Sequence, residues 1–270
     1  MPSLTEAAAL LERTLLARRD LLGETRPSIT REVLDHLQTA RPPTAAAARP
    51  ARPAPVPPVK VSPDRIARLR ALEEAVSACR RCAKLADSRT QTVFGTGNPE
   101  ADLMFVGEAP GADEDRLGEP FVGRAGELLT KIIGAMGLSR DQVYIANVLK
   151  CRPDMPSNAP GNRPPTAEEM QNCLPYLREQ IAIIQPRVLV ALGKTAMAGL
   201  VGAEESMRAM RGRWFDFAGL PLLPTYHPSY LLHKDSNSEK RKVWEDMMLV
   251  MEKLGLPISE KQRGYFLSVS

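Results

Sequence analysis

The spacing of apolar and polar positions changes several times along this chain, and each change marks an element. Ile66 to Ser77 carries apolar residues at helical spacing and runs into Cys79. Asp102–Gly107 is a short apolar run ending in glycine, the pattern of a buried parallel strand. Gly126–Met136 returns to helical period, and Val143–Val148 reads as a second strand. Thr166-Ala-Glu-Glu opens a helix with a capping box and continues toward Ile184, with Pro175 expected to kink or interrupt it. Arg187–Gly193 is a third strand and Lys194–Leu200 a short helix. A hairpin element at Trp214–Phe217 precedes a fourth strand at Leu222–Tyr226, and Lys240–Leu254 is the closing helix. Strands alternating with helices predict an α/β domain: a three-layer α/β/α sandwich around a central, mainly parallel four-stranded sheet.

The N-terminal region reads differently. Residues 4–39 show helical periodicity through Leu10, Leu11, Leu15, Leu21 and Leu22, enough for one or two small helices. Residues 41–58 contain thirteen prolines and alanines in eighteen positions, a composition that favours extended chain and builds no core. The expected organisation is a helical N-terminal extension over 1–40 and a Pro/Ala-rich linker over 41–62. One folded domain then spans 63–257, followed by a C-terminal tail over 258–270.

Charge and length change this picture little. The 270 residues carry a net charge of +4, and from residue 61 onward twenty-seven basic side chains face twenty-six acidic ones. A nearly neutral domain does not declare a nucleic-acid binder by composition. Local basic clusters say more: Arg80, Arg81, Lys84 and Arg89; Arg208, Arg211 and Arg213; Lys234, Lys240, Arg241 and Lys242. Three such clusters along one cleft would form an electrostatic track for phosphates. No apolar run approaches a membrane span, and the first residues lack a signal-peptide pattern, so a cytoplasmic location is expected.

The four cysteines are Cys79, Cys82, Cys151 and Cys173. The first two form a C-x2-C chelate, and the other two flank a loop rich in proline, asparagine and glycine. Four thiolates complete the coordination of a tetrahedral Zn2+ or of an iron–sulfur cluster. Two disulfides are the alternative, disfavoured in a reducing compartment.

Three strand ends carry unusual residues, and in a parallel sheet that is where ligands bind. Gly107-Glu-Ala-Pro-Gly111 is a tight turn, lacking the ending of a phosphate-binding P-loop. Asn147 lies inside an apolar strand, where an amide is costly to bury without partners and suits the edge of a nucleobase. His227-Pro-Ser-Tyr-Leu-Leu232 follows the last strand.

Together with Gly118-Glu-Pro-Phe-Val-Gly-Arg-Ala-Gly126, Asn147-Val-Leu-Lys-Cys-Arg-Pro153 and Asn162-Arg163-x-Pro165, these segments resemble the uracil-DNA glycosylase superfamily. They resemble its iron–sulfur family 4 closely, from about Ile66 to Leu254. The resemblance implies hydrolysis of the N-glycosidic bond of deoxyuridine in single- or double-stranded DNA, after the base has left the stack. It implies Phe121 stacking on uracil, Asn147 reading its O4 and N3 edge, Glu108 walling off the 5-position, and His227 bonding O2. It places Ala109 and Gly111 in the binding turn and Asn162 on an adjoining loop. Ala109 stands where other families use Asp or Asn to position water, so Glu114 is the expected substitute, with a helix-end acid as its plain alternative. Leu231 matches the apolar wedge inserted into the helix. All four cysteines match ligands of a 4Fe–4S cluster, with Zn2+ as the alternative. The chain is expected to be a monomer, its N-terminal extension open to a polymerase clamp or another repair or replication protein. The competing readings are a uracil-DNA-binding or cross-linking metalloprotein without turnover.

Overall fold

The computed structural model describes residues 62–155, 161–234 and 236–267, which lie in one compact unit. The N-terminal extension and nearly all of the linker fall outside them. The elements in chain order begin with α1 (Pro63–Ser77), α2 (Ala83–Ser88), β1 (Thr96–Gly97), β2 (Leu103–Gly107), α3 (Ala112–Leu117) and α4 (Arg124–Ala135). They continue with β3 (Tyr144–Asn147), α5 (Ala167–Ile184), β4 (Val188–Leu192), α6 (Lys194–Val201) and α7 (Met207–Met210). The last are β5 (Phe215–Phe217), β6 (Leu220–Thr225), α8 (Pro228–His233), α9 (Asn237–Leu254) and α10 (Glu260–Arg263).

The sheet has six strands in the order β1-β3-β2-β4-β6-β5, not four. The four expected strands form its parallel centre, and β1 and β5 add antiparallel edges. The expected hairpin element at Trp214–Phe217 forms β5, whereas β1, two residues long, is too short to show a period in the sequence. The β5–β6 hairpin turns through Ala218 and Gly219, both at positive φ (53° and 86°), as a two-residue primed turn requires.

Side-chain alternation splits the core into two layers. Met104, Val106, Ala146, Leu189 and Ala191 face α1, α5 and α6, packing with Leu69, Leu177, Ile181 and Leu200. Leu103, Phe105, Ile145, Val190 and Leu192 face α4 and α9, packing with Leu129, Ile133, Trp244 and Met247. The fold is thus a three-layer α/β/α sandwich. Every residue of β2 and β4 is buried, which explains why these strands read as continuous apolar runs. Residues beyond α9 also join the second layer: Ile258 and Tyr265 pack on it, and Trp244 Nε1 donates to the Gln262 carbonyl at 2.6 Å.

Pro175 does not interrupt α5, which runs unbroken over eighteen residues. The carbonyl that loses its partner belongs to Gln171, and Gln171 and Pro175 are both exposed, so the lost bond falls on the solvent side of the helix. Nor does Arg211 belong to a basic surface. It lies half-buried and pairs with the fully buried Asp246, Nε at 3.1 Å and Nη2 at 2.9 Å. Thr225 Oγ1 donates to the same carboxylate at 2.7 Å, tying the end of β6 to α9. Removing one partner of such a pair strands the other charge in the core. Arg211→Met is expected to cost about 3–5 kcal/mol of stability by urea denaturation; a loss below about 1 kcal/mol would show that Asp246 is satisfied without it.

Candidate active site

All four parallel strands deliver residues to one cavity of about 320 Å³ at their carboxyl ends. Glu108, Ala109 and Gly111 come from the turn after β2, Asn147 from β3, Gly193 and Lys194 from the end of β4, and His227 from the end of β6. This is the crevice where open α/β sheets bind ligands. Phe121, Glu114 and Asn162 complete the wall.

Gly107 and Asn147 are register partners at the ends of β2 and β3. A Cβ at Gly107 would lie 2.3 Å from Asn147 Oδ1 and 2.6 Å from Phe121 Cζ. Only glycine lets ring and amide close on the strand end together. Phe121 itself has φ 56°, a left-handed conformation that costs a non-glycine residue on the order of 1–3 kcal/mol. Gly126 is equally required, because a Cβ there would sit 1.8 Å from the Phe121 carbonyl oxygen.

Asn147 is 2% exposed, and its Oδ1 has no hydrogen-bond partner. A buried acceptor left unpaired costs about 1–3 kcal/mol, so this oxygen is held for a donor that arrives. The Phe121 and His227 ring centroids are 5.5 Å apart, tilted by 34°. His227 caps α8: its Nδ1 accepts the Ser229 amide at 3.2 Å and contacts Ser229 Oγ at 2.7 Å. An accepting Nδ1 leaves the proton on Nε2. Burial lowers the His227 pKa from 6.5 to about 4, with Glu114 opposing the shift, so the imidazole is neutral at physiological pH. Burial raises the carboxyl of Glu108 above its ordinary value, partly offset by a bond to Thr195.

Glu114 is committed to the backbone. Its Oε2 accepts the Gly111 amide at 3.0 Å, and its Oε1 accepts those of Val122 and Gly123, each at 3.1 Å. It is therefore a helix-end acid that joins two loops, with one of about four acceptor positions left open. Leu231, expected as a wedge, is only 3% exposed, because α8 packs its inner face against α4. In this conformation it is a core leucine, and Leu232 beside it is the less buried of the two.

The four cysteines line one small cavity, and none is in a disulfide. Burial raises the thiols of Cys82 and Cys151, and that of Cys173 to about 11. Three donors are already aimed at sulfur: Arg89 Nη1 on Cys151 at 3.0 Å, the Lys150 amide on Cys173 at 3.2 Å, and Asn172 Nδ2 on Cys82 at 3.7 Å. Such donors stabilise thiolates rather than thiols. Among the described residues no three His, Cys, Asp or Glu side chains form a group that could hold one metal ion.

Sequence reasoning had no role for Arg140, Lys150 or Ser229. Arg140 Nη1 donates to the Phe121 carbonyl at 3.2 Å and Nη2 to that of Pro120 at 2.9 Å. Lys150 is buried, its Nζ donating to the Asn147 carbonyl at 2.9 Å and to Gln180 Oε1. For Ser229 a signal existed: a serine two residues after a histidine at a helix start can fix the ring tautomer.

Residues 94–248 match the Uracil DNA glycosylase superfamily. The type-4 uracil-DNA glycosylase of Thermotoga maritima is 47% identical over 178 residues, covering 65% of this chain and 89% of that protein. The type-4 enzyme of Sulfurisphaera tokodaii is 40% identical over 208 residues, covering 74% and 90%. That of Archaeoglobus fulgidus is 39% identical over 173 residues, covering 61% and 83%. The type-5 uracil-DNA glycosylase of Pyrobaculum aerophilum falls to 33%. By these matches the chain belongs to the uracil-DNA glycosylase superfamily and to its type-4 branch.

Proposed function

We propose that this chain excises uracil from DNA, hydrolysing the N-glycosidic bond to leave free uracil and an abasic site that starts base-excision repair. The observation that carries this reading is the buried, unpaired Asn147 Oδ1 beside the Phe121 ring. A displaced uracil stacks on Phe121. Its N3–H donates to Asn147 Oδ1, and its O4 accepts from Nδ2. Cytosine offers the reverse pattern and leaves polar groups unpaired, a mismatch that costs far more than a lost contact. Glu108 meets the 5-position and excludes the methyl of thymine.

Negative charge develops on uracil O2 as the bond breaks. The neutral His227 offers Nε2–H there, a preorganised donor worth roughly 3–4 kcal/mol in such a setting. The sugar cation is captured by water. Asn162 Nδ2 and Glu114 Oε2 both approach Gly111, so the water is held between that amide and the one open acceptor position of Glu114. Leu231 acts as a wedge only if α8 shifts away from α4 on DNA.

The cysteine cavity fits a 4Fe–4S cluster held by Cys79, Cys82, Cys151 and Cys173. Its four thiols and the donors aimed at their sulfurs support this reading, with Zn2+ as the alternative. The group would supply a structural cross-link between the α2 loop and the segments around Cys151 and Cys173. The protein acts on uracil-containing DNA as a monomer, and salt weakens its binding because phosphate contacts dominate affinity.

A uracil-containing oligonucleotide, treated with alkali after incubation, is expected to be cut at the uracil; an uncut strand removes the excision reading. His227→Ser and Asn147→Ala each lower the single-turnover rate by about a hundredfold or more while the visible absorption stays. A wild-type rate in either variant takes that residue out of the mechanism. The lowered His227 pKa gives the pH dependence its sign. The required neutral ring persists well below 6.5, so the rate stays level down to about pH 5 and falls as pH drops through about 4. A fall centred near 6.5 would contradict this. Purified protein is expected to be brown, and Cys173→Ser to lose that colour and melt at lower temperature. A colourless, zinc-containing wild type would overturn the cluster.

A further inference from the structure

The stacking aromatic does not hold its own position. Among the described residues that line the active-site cavity, Phe121 alone, glycine aside, has φ in the left-handed region, and it is buried there. Two charged side chains grip the chain on either side of it. The Arg140 guanidinium donates to the carbonyls of Pro120 and Phe121, and the Glu114 carboxylate accepts the next two amides, Val122 and Gly123. Pro120 and Phe121 are both buried, so without Arg140 their carbonyls would lose their donor in a dry place. Arg140 is itself anchored, since Nη1 also reaches Thr130 Oγ1 at 3.3 Å. It sits on the short turn Arg140–Gln142, behind the loop, and does not line the cavity.

We propose that Arg140 is a positioning residue for uracil recognition: it holds the Phe121 peptide in its left-handed conformation and so sets the ring beneath the base. The proposal rests on the excision reading above and deepens it. The planar fork matters, because two consecutive carbonyls that turn toward one side need two donors in fixed geometry. A lysine supplies a single point of attachment and an uncharged amide reaches less far. With the grip lost, the loop relaxes toward ordinary φ values and the ring leaves the floor of the site. Arg140 does not line the cavity, so binding of the DNA backbone is expected to be unaffected.

The test is a double-mutant cycle. Arg140→Gln is expected to slow single-turnover excision about tenfold or more and to weaken inhibition by free uracil by a similar factor. Affinity for an oligonucleotide carrying an abasic site, and the visible absorption, stay within about twofold of wild type. Arg140→Lys recovers part of the loss. In a Phe121→Ala background, Arg140→Gln costs less than about twofold more, because the residue acts through that ring. The proposal is overturned if the two losses multiply, or if uracil inhibition is unchanged in Arg140→Gln. If Arg140→Gln does not fold, Arg140→Lys carries the same test and must show the same split between uracil and abasic-DNA affinity. A wild type that binds free uracil but does not cut DNA sinks the excision reading alone, and calorimetric uracil affinities of the variants then decide the proposal.

Discussion

A polar atom buried without a partner is the constraint around which this molecule is arranged. Asn147 Oδ1 has no hydrogen bond in the protein, and an amide free to move would turn to find one. It is kept from doing so by close packing. Gly107 admits both the amide and the Phe121 ring, and Gly126 leaves room for the Phe121 carbonyl. The cost of the unpaired oxygen and of the left-handed Phe121 is offset by a core packed on both faces of the sheet. Stability is surrendered locally, and the cavity keeps an acceptor and a ring in fixed positions.

Lys150 is one link between the cysteine cavity and this site. Lys150 donates its backbone amide to Cys173 Sγ and its side chain to the carbonyl of Asn147. Gln180 accepts a second bond from the same ammonium and donates in turn to the Phe94 carbonyl. Burial brings the Lys150 pKa down to about 8, with Cys173 opposing the shift. Whatever fixes the sulfurs therefore fixes the strand end that carries the Asn147 amide. A structural centre can support catalysis in this way with no step of its own in the reaction.

Charge placement follows the same division between holding and binding. Several basic residues that form clusters in sequence are used internally: Arg211 on Asp246, Arg241 on Glu245 and on the carbonyls of Arg263 and Tyr265, Lys242 on Glu239. Arg163 is likewise engaged, pairing with both Asp154 and Glu169 beside the cavity. Lys194 and Arg124, by contrast, are exposed at the starts of α6 and α4, close to the strand ends. Helix N-termini there add their own partial positive charge, which suits a phosphate backbone lying across the mouth of the site.

Much of this could be read from the chain before any coordinates. The apolar runs at β2 and β4 declared buried parallel strands because both faces of those strands are covered, so every position must be apolar. The strand-end residues Asn147 and His227, and the cysteine set, stood out because polar or reactive groups at such positions have few other uses. Other features were invisible, and for one reason: they depend on which residue is opposite which. The edge strand β1, two residues long, is too short to carry a period. Leu231 matches a wedge but is buried where α8 packs on α4, and Glu114 gives three acceptor positions to backbone amides and keeps one. The grip of Arg140 on Phe121 joins residues nineteen apart through carbonyl groups that every residue possesses. Side-chain identity determined the chemistry available. Backbone path alone decided which groups were left unpaired to perform it.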